Sequence, residues 1–147
     1  MTDNHFIDTN VLVYCFDLSE KEKYKIANRL IKDLKETSNL FISSQVLNEF
    51  ITIVTRKIEN PISFENLKSI LSILTEIFFI SPLTSDNSLS AINIKTRHQF
   101  SYWDSLIIAS ALENGCSHLY TEDLQEGRII EKKLEIINPF KQENRVS

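Results

Sequence analysis

Short apolar runs alternate with longer amphipathic stretches along the chain, and this alternation predicts a sheet enclosed between helices. The runs end in polar or turn-forming residues, as buried strands do. They comprise residues 5–7, 40–42, 77–80, 118–120 and 134–137. Between them, apolar residues recur at helical spacing. The pattern therefore predicts a three-layer α/β domain with a mainly parallel, five-stranded sheet flanked by helices.

Two acidic residues follow predicted strands directly or closely. Asp8 ends the first strand, and Asp123 stands shortly after the fourth. Because right-handed crossovers bring the carboxyl ends of parallel strands to one edge, we expect both carboxylates at that edge. Simpler interpretations also fit, since Asp8 can cap a helix and Asp123 can occupy an ordinary turn.

Two further acids lie on predicted helices. Glu49 falls at the border of the apolar arc formed by residues 46–58, where it could also be an exposed glutamate whose stem packs on the core. Asp104 lies on the first turn of a helix that is apolar nearly all round and points between Ile108 and Ala111. An ionised carboxylate is costly there unless it caps the helix or meets a cation.

Four carboxylates at one edge would repel one another, and hard divalent cations remove that repulsion. A ligand set made only of oxygen favours Mg²⁺ or Mn²⁺ over zinc. The two cysteines and the scattered His5, His98 and His118 predict no zinc site of their own. A metal held by carboxylates activates water and stabilises charge on phosphate oxygens, so the pattern favours hydrolysis at phosphorus.

Composition narrows the class of protein. The chain has 147 residues, of which 42% are hydrophobic and 24% charged, as in a single globular domain. We expect that domain to span residues 1–140, followed by a polar tail at 141–147. The net charge of −4 argues against a globally basic nucleic-acid binder. No long apolar run or signal peptide is evident, so we expect a cytoplasmic protein without a membrane partner.

Four motifs and the final strand resemble, in order and spacing, those of the PIN-domain ribonucleases, particularly the VapC toxins of bacterial toxin–antitoxin pairs. The resemblance covers nearly the whole chain. The matching segments are Phe6–Leu12, Asn48–Phe50, Tyr102–Ile107, Tyr120–Leu124 and Ile137–Phe140. It implies a sheet of order 3-2-1-4-5, metal-dependent endoribonuclease activity on RNA, a homodimer, and inhibition by a cognate antitoxin.

The resemblance also assigns roles to individual residues. It implies that Asp8, Glu49 and Asp104 are the core metal-binding and catalytic acids. Asp123 would be the fourth acid, with the neighbouring Glu122 as the alternative. Thr9 and Asn10 would support the site through hydrogen bonds. The acidic composition is a mild departure for an enzyme that cuts RNA, and it concerns substrate affinity more than chemistry.

Three other classes of protein are weaker fits. A haloacid-dehalogenase-like phosphatase would place a second acid where this chain has Asn10. A receiver domain would need an acid pair at the first strand and an aspartate where the third strand ends in Ser81 and Pro82. The alternative function is that of a PIN-like domain that has lost activity and only binds RNA or protein. The presence of all four acids disfavours it.

Overall fold

The computed structural model describes residues 2–141, which form one mixed sheet with helices packed against it. The order of strands along the sheet is β3-β2-β1-β4-β6-β5. The strands are β1 (Asn4–Ile7), β2 (Asn39–Ser43), β3 (Phe78–Ser81), β4 (Cys116–Tyr120), β5 (Ile129–Ile130) and β6 (Leu134–Ile137).

The predicted order is confirmed, with β6 as the fifth predicted strand. All pairs among β1, β2, β3, β4 and β6 are parallel. The prediction of five strands missed β5, which has two residues and pairs antiparallel with β6. The third strand also begins one residue later than predicted, because Ile77 is the last residue of a helix. The expected polar tail lies largely outside the described residues.

Between the strands, the described part of the chain forms six helices. They are α1 (Thr9–Tyr14), α2 (Lys21–Thr37), α3 (Ser44–Arg56), α4 (Phe64–Ile77), α5 (Ser85–His98) and α6 (Tyr102–Glu113). Serine or threonine caps the first turn of α3 to α6, since each cap hydroxyl accepts a backbone N–H three residues later. None of the helices within residues 2–141 has the length and apolar character needed to cross a bilayer.

The core lies around the central strands and α6. Phe6 and Ile7 of β1 are fully buried, as expected for a strand with a neighbour on each side. Helix α6 packs against both the sheet and α5, which explains why residues 105–111 are all buried. Helix α1 packs against α2 and α3 at the carboxyl end of β1, which places Glu49, the acid of α3, beside the end of that strand.

The strand β3 forms one edge of the sheet. Its Phe79 is 60% exposed and stacks on Phe41 of β2, with ring centroids 5.2 Å apart. The strand has four residues and is followed by Pro82. At the other edge, β5 covers β6 through antiparallel pairing.

Candidate active site

Asp8 occupies the junction between β1 and α1. Its backbone N–H donates to the carbonyl of Tyr120 at 2.9 Å, which continues the sheet pairing by one residue. Its Oδ1 accepts the N–H of Thr9 at 2.7 Å, and its Oδ2 accepts the hydroxyl of Thr121 at 2.8 Å. Asp8 is therefore the N-cap of α1 and at the same time a carboxylate held at the carboxyl edge of the sheet.

Thr121 is a site residue that sequence reasoning did not single out. It is fully buried directly after β4, and its hydroxyl accepts the N–H of Asp123 at 3.2 Å while donating to Asp8. Its role follows from the strand register: Ile7 pairs with Tyr120, so the next residues, Asp8 and Thr121, are neighbours. A threonine one position after a strand adjacent to β1 is thus placed to orient Asp8.

Glu49 is exposed on α3 and reaches the same junction. Its Oε1 accepts the hydroxyl of Thr9 at 2.8 Å. Because the backbone of Thr9 donates to Asp8, this one residue connects two carboxylates from separate segments. The interpretation of Glu49 as an exposed stem-packing glutamate does not account for that hydrogen bond.

Asn10 forms different hydrogen bonds with Glu122 and Asp123, the two neighbouring acids after β4. Its side-chain N–H donates to Oδ2 of Asp123 at 2.9 Å, and its carbonyl oxygen accepts the backbone N–H of Glu122 at 3.2 Å. The Glu122 carboxylate instead pairs with Lys23 at 2.9 Å and accepts the Tyr14 hydroxyl at 2.6 Å. Of the two acids, only Asp123 bonds to a residue of the first turn of α1 through its carboxylate.

Asp104 lies on the first turn of α6, half-buried. Ser101 is the N-cap and accepts the Asp104 N–H at 3.1 Å, so Asp104 does not cap the helix. Within residues 2–141 its carboxylate has no hydrogen bond or ion pair to another side chain. Gln45 donates to the carbonyl of Trp103 at 3.4 Å, and Trp103 and Glu49 line one cavity of about 390 Å³. The starts of α6 and α3 are therefore adjacent.

The surroundings of Asp8 disfavour its ionised form. Burial, with a smaller contribution from the nearby charges of Asp123 and Glu49, raises the pKa of Asp8 to about 6, even though the hydrogen bonds from Thr121 and Thr9 oppose the shift. The salt bridges of residues 2–141 involve Glu122, Glu131 and Glu135 but none of the four candidate acids. Negative charge at this edge is thus uncompensated by side chains.

The donor set fits a hard divalent cation. It consists of carboxylate oxygens held by hydroxyl and amide groups, which is the chemistry that Mg²⁺ and Mn²⁺ prefer. Asp8, Glu49 and Asp123 are connected through Thr9, Asn10 and Thr121, and no hydrogen bond connects Asp104 to them. No three of the four acids have ligand oxygens all within 4.8 Å of one another in the described chain. Such spacing is favourable for ionised carboxylates, which repel.

Asp3, His5 and His118 do have ligand atoms that close together. The sequence had predicted no metal site that includes these histidines. One ligand atom from each of Asp3, His5 and His118 lies within 4.8 Å of the others. His5 and His118 look scattered in sequence but occupy paired positions of the adjacent strands β1 and β4. Their rings stack with centroids 4.6 Å apart. Burial and the neighbouring His118 lower the pKa of His5.

Comparison with known proteins identifies the family of this chain and several solved structures with a similar fold. The family model for the PIN domain matches residues 5–130. None of the curated protein sequences is significantly similar to this chain. Among solved structures, VapBC2 from Rickettsia felis bound to a DNA fragment from its promoter matches at 22% identity and a TM-score of 0.63, covering 92% of this chain and 99% of that one.

Two other solved structures share the fold. A toxin–antitoxin complex from Klebsiella pneumoniae matches at 15% identity and a TM-score of 0.67, with 92% of this chain and 97% of that chain covered. VapC20 from Mycobacterium tuberculosis, a toxin that cleaves the sarcin–ricin loop, matches at 19% identity and a TM-score of 0.64. That match covers 81% of this chain and 89% of the other.

Proposed function

Because this chain belongs to the PIN domain family, we propose that it is a Mg²⁺- or Mn²⁺-dependent endoribonuclease and the toxin of a toxin–antitoxin pair. One observation carries the proposal: the buried carboxylate of Asp8 is held by two donors beside Glu49 and Asp123, and no Lys, Arg or His side chain of residues 2–141 forms an ion pair with it. The solved structures of similar fold support the biological role, since they include toxin–antitoxin complexes and one RNA-cleaving toxin.

In this proposal the four acids Asp8, Glu49, Asp104 and Asp123 hold the metal. When bound, the metal lowers the pKa of a coordinated water and stabilises charge on the phosphate oxygens. Thr121 fixes the orientation of the Asp8 carboxylate. Glu49 stands exposed beside the cavity that Trp103 lines, where it can take a proton from the attacking water as the RNA phosphate approaches.

The proposed partners follow from the same charges. RNA brings its own negative charge to a chain of net charge −4, so the metal is needed for binding as well as for chemistry. A pocket of carboxylates also suits a guanidinium, which binds carboxylates bidentately. The antitoxin would therefore silence the enzyme by placing an arginine or lysine among the acids. We further propose a homodimer acting in the cytoplasm.

Cleavage of a mixed RNA pool tests the enzymatic part. Wild-type protein should cut RNA with Mn²⁺ and stop when EDTA is added. Asp104→Asn removes a charge while keeping the side-chain shape, so it should abolish cleavage and leave the fold intact. Asp33→Asn is the matched control, because Asp33 is an exposed acid near the end of α2, and α2 leads into the first residue of β2, at the edge of the sheet opposite the site. Full activity of Asp104→Asn, or equal cleavage in EDTA, contradicts the metal assignment.

Expression in cells tests the biological part. Wild-type protein expressed alone should arrest growth, Asp104→Asn should not, and co-expression of the small open reading frame beside the gene should relieve the arrest. A chain that cuts RNA but is harmless alone would be a housekeeping ribonuclease. A chain that neither cuts RNA nor arrests growth would instead be the inactive, partner-binding PIN-like domain.

A further inference from the structure

A second group of metal-ligating side chains lies at the opposite end of β1 from Asp8. Asp3 precedes the strand, His5 lies within it, and His118 is the paired residue of β4. One ligand atom from each lies within 4.8 Å of the others. From this geometry we propose that Asp3, His5 and His118 bind a borderline-soft divalent cation, with Zn²⁺ as the best fit.

Each imidazole has its Nδ1 engaged by a hydroxyl of the protein. His5 Nδ1 lies 3.2 Å from the Tyr120 hydroxyl, and His118 Nδ1 lies 2.7 Å from the Ser117 hydroxyl. A hydroxyl that accepts from Nδ1–H fixes the tautomer with its lone pair on Nε2, which is the arrangement found around metal-binding histidines. In the proposed site both Nδ1 atoms donate to these hydroxyls, which leaves both Nε2 atoms as ligands.

The next strand carries a carboxylate close to His118, although among the described residues only Asp3, His5 and His118 share the mutual spacing of 4.8 Å. Glu135 of β6 pairs in register with His118, and its Oε1 lies 3.8 Å from His118 Nε2. Two imidazoles with two carboxylates make a four-ligand set of the kind that tetrahedral zinc uses. The site at Asp8 offers only oxygen ligands, which prefer Mg²⁺ or Mn²⁺ to Zn²⁺. The two sites would therefore select different metals.

The protein could close this site with small movements. The two rings are stacked 11° from parallel, so a shared cation requires one ring to turn slightly while its Nδ1 stays within reach of its hydroxyl partner. Asp3 is exposed, and its backbone carbonyl is held by the Asn39 N–H at 3.0 Å, which leaves its side chain to adapt. Bound zinc would then crosslink β1, β4 and β6, and so strengthen the pairing of β1 and β4, the two strands that Asp8 and Asp123 follow.

The two sites are far enough apart to be tested separately. Three residues of extended chain separate His5 from Asp8, which corresponds to about 10 Å. Full-length protein without a polyhistidine tag is stripped with chelator and titrated with Zn²⁺ in excess Mg²⁺, which occupies the oxygen-only site. We expect one zinc per chain, and the Co²⁺ form should show the visible absorption of a four-coordinate site.

Variants assign the ligands. His118→Gln should abolish zinc binding, and Ser117→Ala should weaken it by about tenfold, as expected for loss of an orienting partner. His98→Gln is the matched control and should bind as wild type, since His98 pairs with Glu131 on another part of the surface. Asp104→Asn should also keep its zinc. Zinc should raise the urea midpoint of wild type and His98→Gln but not of His118→Gln.

Three results would overturn the inference. They are an absence of zinc binding in wild type, equal zinc affinity in His118→Gln and His98→Gln, and loss of zinc in Asp104→Asn, which would place the ion at the nuclease site. Circular dichroism of metal-free His118→Gln checks that the variant is folded. If that variant does not fold, Ser117→Ala and Asp3→Asn carry the test, and wild-type affinity in both contradicts the site.

Discussion

The buried carboxylate of Asp8 should lower the stability of the metal-free protein, and Asp8→Asn should recover it. The structure holds this group at a pKa of about 6, compared with the ordinary value of 3.8. A shift of about two units corresponds to about 3 kcal/mol at about 1.4 kcal/mol per unit. Asparagine keeps the shape and can still accept the N–H of Thr9, so we expect Asp8→Asn to raise the free energy of unfolding by about 2 to 3 kcal/mol near neutral pH.

The stability cost of Asp8 should depend on pH in a defined direction. An unfolded Asp8 loses its proton near pH 3.8 and the folded one near pH 6, so the unfolded state binds fewer protons within that window. Stability from this group therefore falls as pH rises from about 4 to about 6, and the cost is complete above that range. The advantage of Asp8→Asn should accordingly shrink to about 1 kcal/mol at about pH 4.5.

Urea unfolding in EDTA, monitored by circular dichroism at both pH values, measures these differences. Asp33→Asn is the control for removing an exposed acid and should change stability by less than about 0.5 kcal/mol. Excess Mg²⁺ should stabilise the wild type and not Asp8→Asn, because the variant lacks the charged ligand. A destabilised Asp8→Asn protein, or a difference that does not vary with pH, would refute the assignment of burial as the cause.

Three further predictions concern the residues around Asp8. Glu49→Gln should slow RNA cleavage at least about a hundredfold, the scale of a positioned acid–base group, and an unchanged rate would return it to an exposed surface role. Thr121→Val should weaken metal binding, measured by calorimetry, because the lost hydroxyl no longer stabilises the ionised carboxylate; unchanged affinity contradicts this orienting role. Asp123→Asn should reduce cleavage while Glu122→Gln leaves the rate within about twofold, since Glu122 is paired elsewhere; the reverse result would exchange their roles.

The alternation of apolar runs and helices predicted a mainly parallel sheet, and right-handed crossovers predicted that its strands end at one edge. The order of the five strands was predicted from the resemblance to the PIN-domain ribonucleases, and the sheet confirms it. Strand β5 was not predictable, since two residues are too few to show a period of hydrophobicity. Ile77 was assigned to a strand because the last turn of an apolar helix and the first residue of a buried strand have the same composition. The hydrogen bonds of the β ladder, which sequence does not display, set that boundary.

The sequence predicted that acids lie at the candidate site, but it did not predict the hydrogen bonds that hold them. Asp8 and Asp123 follow strands, so topology alone brings them to one edge. The bond between Asp8 and Thr121 joins residues 113 positions apart, and the stack of His5 on His118 depends on the same strand register. Register follows from packing across the whole sheet. Sequence therefore indicated which residues carry charge at the edge, and the structure shows which neighbours hold them.

The unequal edges of the sheet bear on how this protein behaves when it is made without a partner. An exposed edge strand with an apolar side chain such as Phe79 is a template on which another chain can add a strand and begin to aggregate. Here the template is only four residues long, and Pro82 directly after it has no N–H to offer to an incoming strand. Brevity and proline thus limit strand addition at β3, and the opposite edge strand β5 has only two residues, so each edge of the sheet offers only a short template for an added strand.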